Sequence, residues 1–407
     1  MDQYACRICR SVNHSLILDY GSVALAGGLL SSLEEAKTEA TYPLTLAFCE
    51  ECKHVQIREI LDPSLLFSDY AWETGVGTTN QRYCREFVAD VADRTNLPEN
   101  GFVVEIASND GTLLHEFKNS GRKVRGVDPA RRIAEKATSR GIPTHPTFFG
   151  LEVSQQIASQ EGLADLIVGR NVLAHVADLH GVMGGIRALL EPGGTAVIEV
   201  PHLLRMHEEL QYDQVYHEHI GYHSFDSIQR LAAMHHLRAV DVDTIPLHGG
   251  SIKSYLVHED DARRPHPRTQ EILSNEKRLL DFEAWGEFGS RVRTQKRLLR
   301  EELESARQRG DVVVGYGASG KGQALIQFCE IDSREVSYIV DKAPIKHGKW
   351  TPGSHIPIFD PSRMKSAGVD VLLLFSWNLA EEILAQEREL RSQGVRFLHP
   401  IPVPHYL

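Results

Sequence analysis

Short apolar runs alternate with amphipathic stretches along most of the chain, and the spacing predicts strands and helices in turn. In the middle segment, from about residue 75 to about residue 260, strands are predicted at 101–108, 123–128, 164–169 and 195–201, with helical stretches such as 113–120 and 131–140 between them. This alternation builds a parallel sheet covered by helices on both faces. Two further apolar segments, 237–245 and 251–258, are joined by a short Pro/His/Gly-rich link and read as an antiparallel pair. A charged, helix-favouring stretch follows (269–309). A second strand–turn–helix unit then opens at Asp311, with strands predicted at 312–316, 336–340, 369–375 and 395–400. The chain shows neither a fixed-period repeat nor a low-complexity tract.

Composition narrows this picture. At about 150 residues per domain, 407 residues make two or three domains. Hydrophobic residues at 42% and charged residues at 24% suit a folded globular protein. The 44 Lys+Arg against 55 Asp+Glu give −11, which disfavours a general nucleic-acid binder or a basic membrane-surface protein. Apolar runs fall short of the ~20 residues that span a bilayer. The opening MDQYACRICR has no apolar signal core. Six cysteines are too few for a disulfide scaffold in a chain this long, so a reducing cytoplasm and metal binding are expected.

Four of those cysteines form two Cys-x-x-Cys pairs, Cys6/Cys9 and Cys49/Cys52. Two such turns supply the four soft ligands that Zn²⁺ prefers, and four protein ligands leave no open position, so the zinc should be structural. Two unrelated reduced pairs would be the plainer reading. Cys84 and Cys329 are expected to be buried apolar residues, and His14, His54 and His355 to be surface or capping residues.

The stretch VVEIASNDGTLLHEF joins a strand, a polar glycine-bearing turn and a helix. Its amides at a helix N-terminus favour a polar or anionic group. Asp128, ending the next predicted strand, is placed to grip ribose hydroxyls. A dinucleotide fold would prefer G-x-G-x-x-G at that turn, so EIASNDG points to S-adenosylmethionine, with Glu105, Ala107, Ser108, Asn109, Gly111, Asp128 and Asn171 as its expected contacts. An ordinary α/β turn is the alternative.

Tyr216, His217, Glu218, His219, Tyr222 and His223 (YHEHIGYHS) follow the fourth predicted parallel strand, on the edge where open sheets place ligands. A histidine can take a proton near neutral pH, a neighbouring carboxylate can raise its basicity, and a phenol can donate to a developing oxyanion. His175 follows another strand on the same edge. Backbone satisfaction or a second metal would use the same residues differently. In the last domain Gly315, Gly317 and Gly320 spell G-x-G-x-x-G and Asp341 ends the next strand, a pattern for NAD(P). Against it, Lys321 follows the last glycine directly. A duplicated Rossmann shape holding an acceptor's nucleotide and diphosphate is preferred, with Lys321, Ser319 and Asn378 as candidate contacts.

The cysteine head, E-I-x-S-N-D-G, Y-H-E-H-x-x-Y, HGGS at 248–251 and GYGASGKG…VDKAPIKHGKWTPGSHIPI occur in one order over essentially the whole chain. Together they resemble the S-adenosylmethionine-dependent C-methyltransferases of unusual deoxysugars. The resemblance implies an α/β protein of three parts: a small zinc-binding domain (1–75), a central class I methyltransferase domain (76–260) and a C-terminal Rossmann-like domain (261–407) for the sugar nucleotide. It implies methyl transfer to C3 of a nucleotide-linked 4-keto-6-deoxy sugar, with His219 as base, Glu218 as supporting acid, and Tyr216, His175 and Tyr70 beside them. Tyr222 and His223 are expected at the acceptor. Where such proteins carry a serine-rich stretch after that tyrosine, this chain has YAWETGVGTTN (70–80), so Trp72 and Glu73 are expected to reshape the acceptor pocket. A monomer is expected. An NAD(P)-dependent sugar-nucleotide reductase and a non-catalytic sugar-nucleotide-binding protein are the rival readings.

Overall fold

The computed structural model describes residues 4–62, 65, 66, 74–76 and 78–407; Tyr70, Trp72 and Glu73 lie outside the described residues. The head is an antiparallel sheet of β1 (His14–Ala24), β2 (Thr41–Cys49) and β3 (Val55–Ile57).

The central strands are β4 (Phe102–Ile106), β5 (Lys123–Val127), β6 (Thr144–His145), β7 (Ala164–Arg170) and β8 (Leu190–Pro201), all parallel. A two-residue strand β9 (Gly221–Tyr222) follows, then the hairpin β10 (Leu237–Ile245) and β11 (Ser251–His258). The seven-stranded order is β10-β11-β8-β7-β4-β5-β6, with β11 antiparallel to both neighbours. This is the doubly wound sheet with a terminal hairpin that the hydrophobic pattern predicts. Strand β4 is buried at every position, as a central parallel strand covered on both faces must be. It stops at Ile106, earlier than the apolar run suggests, because Ala107 and Asn109 take left-handed conformations (φ 55 and 51) that no strand continues. Strand β8 starts earlier than expected, since Leu190 already pairs with Ala164 across a register shift.

The charged stretch after the hairpin is two helices, Arg268–Glu276 and Phe282–Arg309. The second starts where the Asp281 carboxylate accepts the Glu283 N–H at 3.1 Å. The last domain holds β12 (Val313–Tyr316), β13 (Tyr338–Val340), β14 (Ile358–Phe359), β15 (Val371–Leu374), β16 (Arg396–His399) and β17 (His405–Tyr406), in the order β14-β13-β12-β15-β16-β17.

Strand β9 lies far from the head in sequence, yet it completes the head sheet, pairing Tyr222 with Val55 and Gly221 with Gln56. One continuous apolar core joins Phe48, Val55 and Ile57 of the head, Tyr212, Val215 and Ile220 before β9, Trp285 and Phe288 of the long helix, and Leu325 and Phe375 of the last domain. The segment carrying the histidine cluster is therefore clamped between head and C-terminal domain. Among the described residues no helix is long and apolar enough to cross a membrane.

Candidate active site and thiol centre

Each Cys-x-x-Cys turn closes in the same way. The Arg10 N–H donates to the Cys6 carbonyl at 3.0 Å and the Lys53 N–H to the Cys49 carbonyl at 2.9 Å, with Arg10 and Lys53 both at φ 64. Two equivalent knuckles thus face each other. The four Sγ atoms lie within 4.8 Å of one another, the closest cross-pairs, Cys6/Cys52 and Cys9/Cys49, at 3.5 Å. Tetrahedral Zn–S bonds of about 2.3 Å need sulfurs some 3.8 Å apart, so the cluster fits one zinc ion. Cys84 and Cys329 are buried. His54 departs from expectation: it is fully buried, not surface, with its ring centroid 5.1 Å from that of His223 behind β9.

At the carboxyl ends of the central strands the chain makes the expected polar turn. Ala107, Asn109, Gly111 and Asn171 all have positive φ, which bends the backbone away from the sheet. The Asp128 carboxylate accepts the Asn109 N–H at 2.8 Å and the Ala130 N–H at 2.9 Å, and burial raises its pKa. The turn leaves no room behind it: a β-carbon on Gly126 would stand 2.4 Å from Ser108 Oγ. The described end of the linker folds over this turn, Thr74 N–H donating to Asn109 Oδ1 at 2.9 Å and Gly75 N–H to Asp110 Oδ2 at 3.1 Å.

The register reveals a feature that hydrophobic periodicity misses. Arg170 pairs with Glu199, Glu199 with Lys253, and Lys253 with Asp243, while Glu105 lies 3.8 Å from Arg170. Opposed residues share a sheet face, so Glu105, Arg170, Glu199, Lys253 and Asp243 form a row of alternating sign across five strands. Tyr83, on helix Thr78–Arg94, donates to Glu199 at 2.5 Å, and the Arg170 guanidinium lies over the Tyr83 and Phe87 rings. Burial pushes the Glu105 carboxyl up to about 8 from an ordinary 4.5, with Arg170 opposing the rise. Glu105 Oε2, Ser108 Oγ, Asn171 Oδ1 and Glu199 Oε1 are buried atoms without a protein partner. Such atoms at the strand ends fit a hydroxylated, cationic ligand, as S-adenosylmethionine is. The signal for Arg170, Glu199 and Lys253 was in the sequence: each is a charge inside an otherwise apolar strand, which demands a partner.

In the histidine cluster, His219 Nδ1 lies 3.0 Å from the Gln214 carbonyl and Nε2 lies 2.9 Å from the Tyr216 hydroxyl. A carbonyl only accepts, so Nδ1 carries a proton; in the neutral ring Nε2 then presents a lone pair, to which Tyr216 donates. The His175 ring stands edge-on to His219, centroids 4.8 Å apart, and burial lowers its pKa to about 4, leaving it neutral. Burial raises Glu218 to about 7. Its Oε1 would lie 3.0 Å from a β-carbon on Gly27 of the head. The group that fixes the His219 ring is thus the Gln214 carbonyl. Tyr222 points inward, its hydroxyl donating to the His219 carbonyl at 2.8 Å, and His223 is buried behind β9.

The C-terminal turn meets this cluster directly: a β-carbon on Gly320 would stand 3.3 Å from the Tyr216 ring. Ser319 caps helix Gly320–Phe328, accepting the Gly322 N–H at 3.1 Å. Buried Lys321 feels the charge of Asp213, which opposes the lowering of its pKa by burial; Asp213 accepts from Trp377 Nε1 at 2.6 Å, and the Lys321 ammonium sits 5.9 Å from the Trp377 ring centre. Asn378 is exposed on the short helical turn Trp377–Leu379 that follows β15. Asp341 accepts the N–H groups of Ala318 and Ala343, both at 2.8 Å, and Lys346 Nζ at 2.9 Å.

A parallel sheet with a terminal hairpin, a left-handed polar turn after its first strand and a four-thiol head define a methyltransferase of class I shape with a zinc-binding module. Three family models match in chain order: a zinc binding domain over residues 6–67, a methyltransferase domain over 77–242 and a C-methyltransferase C-terminal domain over 246–402. The C-methyltransferase NovU of Streptomyces niveus is 35% identical over 404 residues, covering 99% of this chain and 96% of that protein. The chain belongs to this family of S-adenosylmethionine-dependent C-methyltransferases. Among solved structures, a methyltransferase from Clostridium acetobutylicum aligns over 48% of this chain and 95% of its own at 12% identity (TM-score 0.36). Magnesium protoporphyrin IX methyltransferase from Synechocystis with bound S-adenosylmethionine aligns over 48% and 98% at 13% (TM-score 0.35).

Proposed function

We propose that this enzyme methylates C3 of a nucleotide-linked 4-keto-6-deoxy sugar, with His219 as the base. The observation that carries the reading is the setting of His219: Nδ1 lies 3.0 Å from the Gln214 carbonyl, which only accepts, so in the neutral ring Nε2, 2.9 Å from the Tyr216 hydroxyl, is the nitrogen that can take a proton. Carbon becomes a nucleophile when a neighbouring ketone acidifies its proton. His219 Nε2 takes the C3 proton, the C3–H electrons move into the enolate, and the Tyr216 hydroxyl turns its hydrogen bond to the C4 oxygen. Bound S-adenosylmethionine supplies an electrophilic sulfonium methyl. The enolate carbon beside His219 would accept that methyl, with S-adenosylhomocysteine as the co-product. Each donor to the oxyanion contributes about 2.7–4 kcal/mol. Glu218, with its pKa near 7, can carry a proton at neutral pH, and neutral His175 shapes the wall beside the base.

Glu105, Ala107, Ser108, Asn109, Gly111, Asp128 and Asn171 would hold the cofactor at the strand ends. Ser319, Lys321 and Asn378 would meet the nucleotide part, with Tyr222 and His223 supporting the loop from within; Tyr70 is a further candidate for the acceptor. A reductase reading is disfavoured because Lys346 already occupies Asp341, the position of a ribose ligand.

The test is a mass-spectrometric screen of nucleotide-linked 4-keto sugars for a methyl-sized gain, followed by carbon NMR of the product. A quaternary carbon at C3 is expected; a methyl on oxygen or nitrogen refutes the enolate route. Calorimetric silence toward both S-adenosylmethionine and S-adenosylhomocysteine, with tight NADPH binding, would favour the reductase.

A further inference from the structure

The residue between the first two cysteines is a buried arginine. Arg7 is 2% exposed, and its backbone N–H donates to Gln56 Oε1 at 3.0 Å. Its guanidinium donates from Nη1 to the carbonyls of Ile57 (2.9 Å) and Ile220 (2.7 Å), and from Nη2 to that of Glu59 (3.5 Å). Ile220 directly follows His219. Its carbonyl also accepts the Ile57 N–H at 3.2 Å, and its own N–H donates to the Ala174 carbonyl at 2.7 Å, one residue before His175. A single residue, Ile220, thus ties the first cysteine knuckle, strand β3, the base and the second histidine together.

From these contacts we infer that Arg7 is a positioning residue for the His219/His175 pair. It transmits the rigidity of the metal-closed knuckle to the catalytic loop through the Ile220 carbonyl. The assignment rests on the reading of His219 as base. A planar fork suits this role: one guanidinium spans carbonyls on two strands, whereas an ammonium is a single point donor. Without the fork the Ile57–Ile220 bond remains, but the loop loses its charge-assisted anchors, and a displacement of the base of the order of 1 Å costs up to about 100-fold in rate.

The test compares Arg7→Lys and Arg7→Met with wild type in the full-length, zinc-loaded protein. Bound zinc, S-adenosylhomocysteine affinity, kcat, KM for the ketosugar, and the ¹⁵N shifts of the His219 ring are read. One zinc per chain and cofactor-product affinity within about twofold of wild type are expected, with KM moved less than about threefold and kcat down by about 100-fold. Lysine should lose less than methionine. The ring nitrogens should change from one fixed tautomer to a mixture. An unaltered His219 spectrum, or kcat per zinc-loaded molecule equal to wild type, overturns the inference. So does a joint fall of zinc content and cofactor affinity that accounts for the lost rate, which would mark a merely structural arginine. Should the methionine protein fail to fold, the lysine protein decides. The ring shifts need no turnover, so a wild type inert toward every ketosugar would refute the proposed reaction while the spectra still judge Arg7.

Discussion

His219 keeps its proton on Nδ1 because a backbone carbonyl stands behind it, and that choice of nitrogen gives the ring its reactivity. His219→Asn removes the lone pair while keeping a polar side chain of similar reach. Turnover should fall by more than about 100-fold with the melting temperature nearly unchanged; turnover within about tenfold of wild type would exclude the base role. Glu105 gives a second prediction. Its folded pKa, about 8, lies above its ordinary 4.5, so the folded protein binds that proton more tightly than the unfolded chain. The resulting stability is full below the ordinary value and is lost as pH rises through the folded one. Glu105→Gln should flatten that loss, measured as urea midpoints between about pH 5 and pH 8; parallel curves for variant and wild type would reject it. The residue types of this site were readable in YHEHIGYHS, but not their directions. Tyr222 and His223 share the motif with His219 yet are buried, because β9 pairs with the head and His223 bridges His202 of the central domain, so the opposite faces to which neighbouring residues point are both covered.

Strands and helices were legible wherever a period was sustained. The hairpin is Leu237–Ile245 and Ser251–His258, as the apolar pattern implies, and the central strands differ from it by their ends. What periodicity could not supply was cross-strand register, and register makes the alternating charge row. Lys253→Met would leave Glu199 and Asp243 facing an apolar side chain. Breaking a buried ion pair from one side costs about 3–5 kcal/mol. The loss, read by urea denaturation, should be near 3 kcal/mol, since Asp90, the ion-pair partner of Lys253, is partly exposed and can rehydrate while Asp243 keeps Arg94 and Arg268; a loss below about 0.5 kcal/mol, ordinary for a surface change, would show that the row is not a unit. Gly126→Ala drives a methyl toward Ser108 Oγ and Thr144 Oγ1. It should cost about 1–3 kcal/mol and weaken S-adenosylmethionine binding in calorimetry, because the pressure falls on the polar turn.

At the scale of the molecule, the two Cys-x-x-Cys pairs announced the metal centre from spacing alone, while the object that the centre braces could not be read from sequence. That object is a loop that joins the head through a two-residue strand, far too short to carry a periodic signal. Metal removal under reducing conditions should therefore abolish methyl transfer while S-adenosylhomocysteine still binds the central sheet; loss of both together, followed by chelator titration and calorimetry, would mean that head and sheet unfold as one. Strand β9 has a practical corollary. A gene cut at the linker would produce a central fragment whose loop ends in an unsatisfied edge and a head lacking its fourth strand. Neither half should persist in isolation, but the two synthesised side by side should find each other, making this junction a natural place to split the enzyme into a complementation pair.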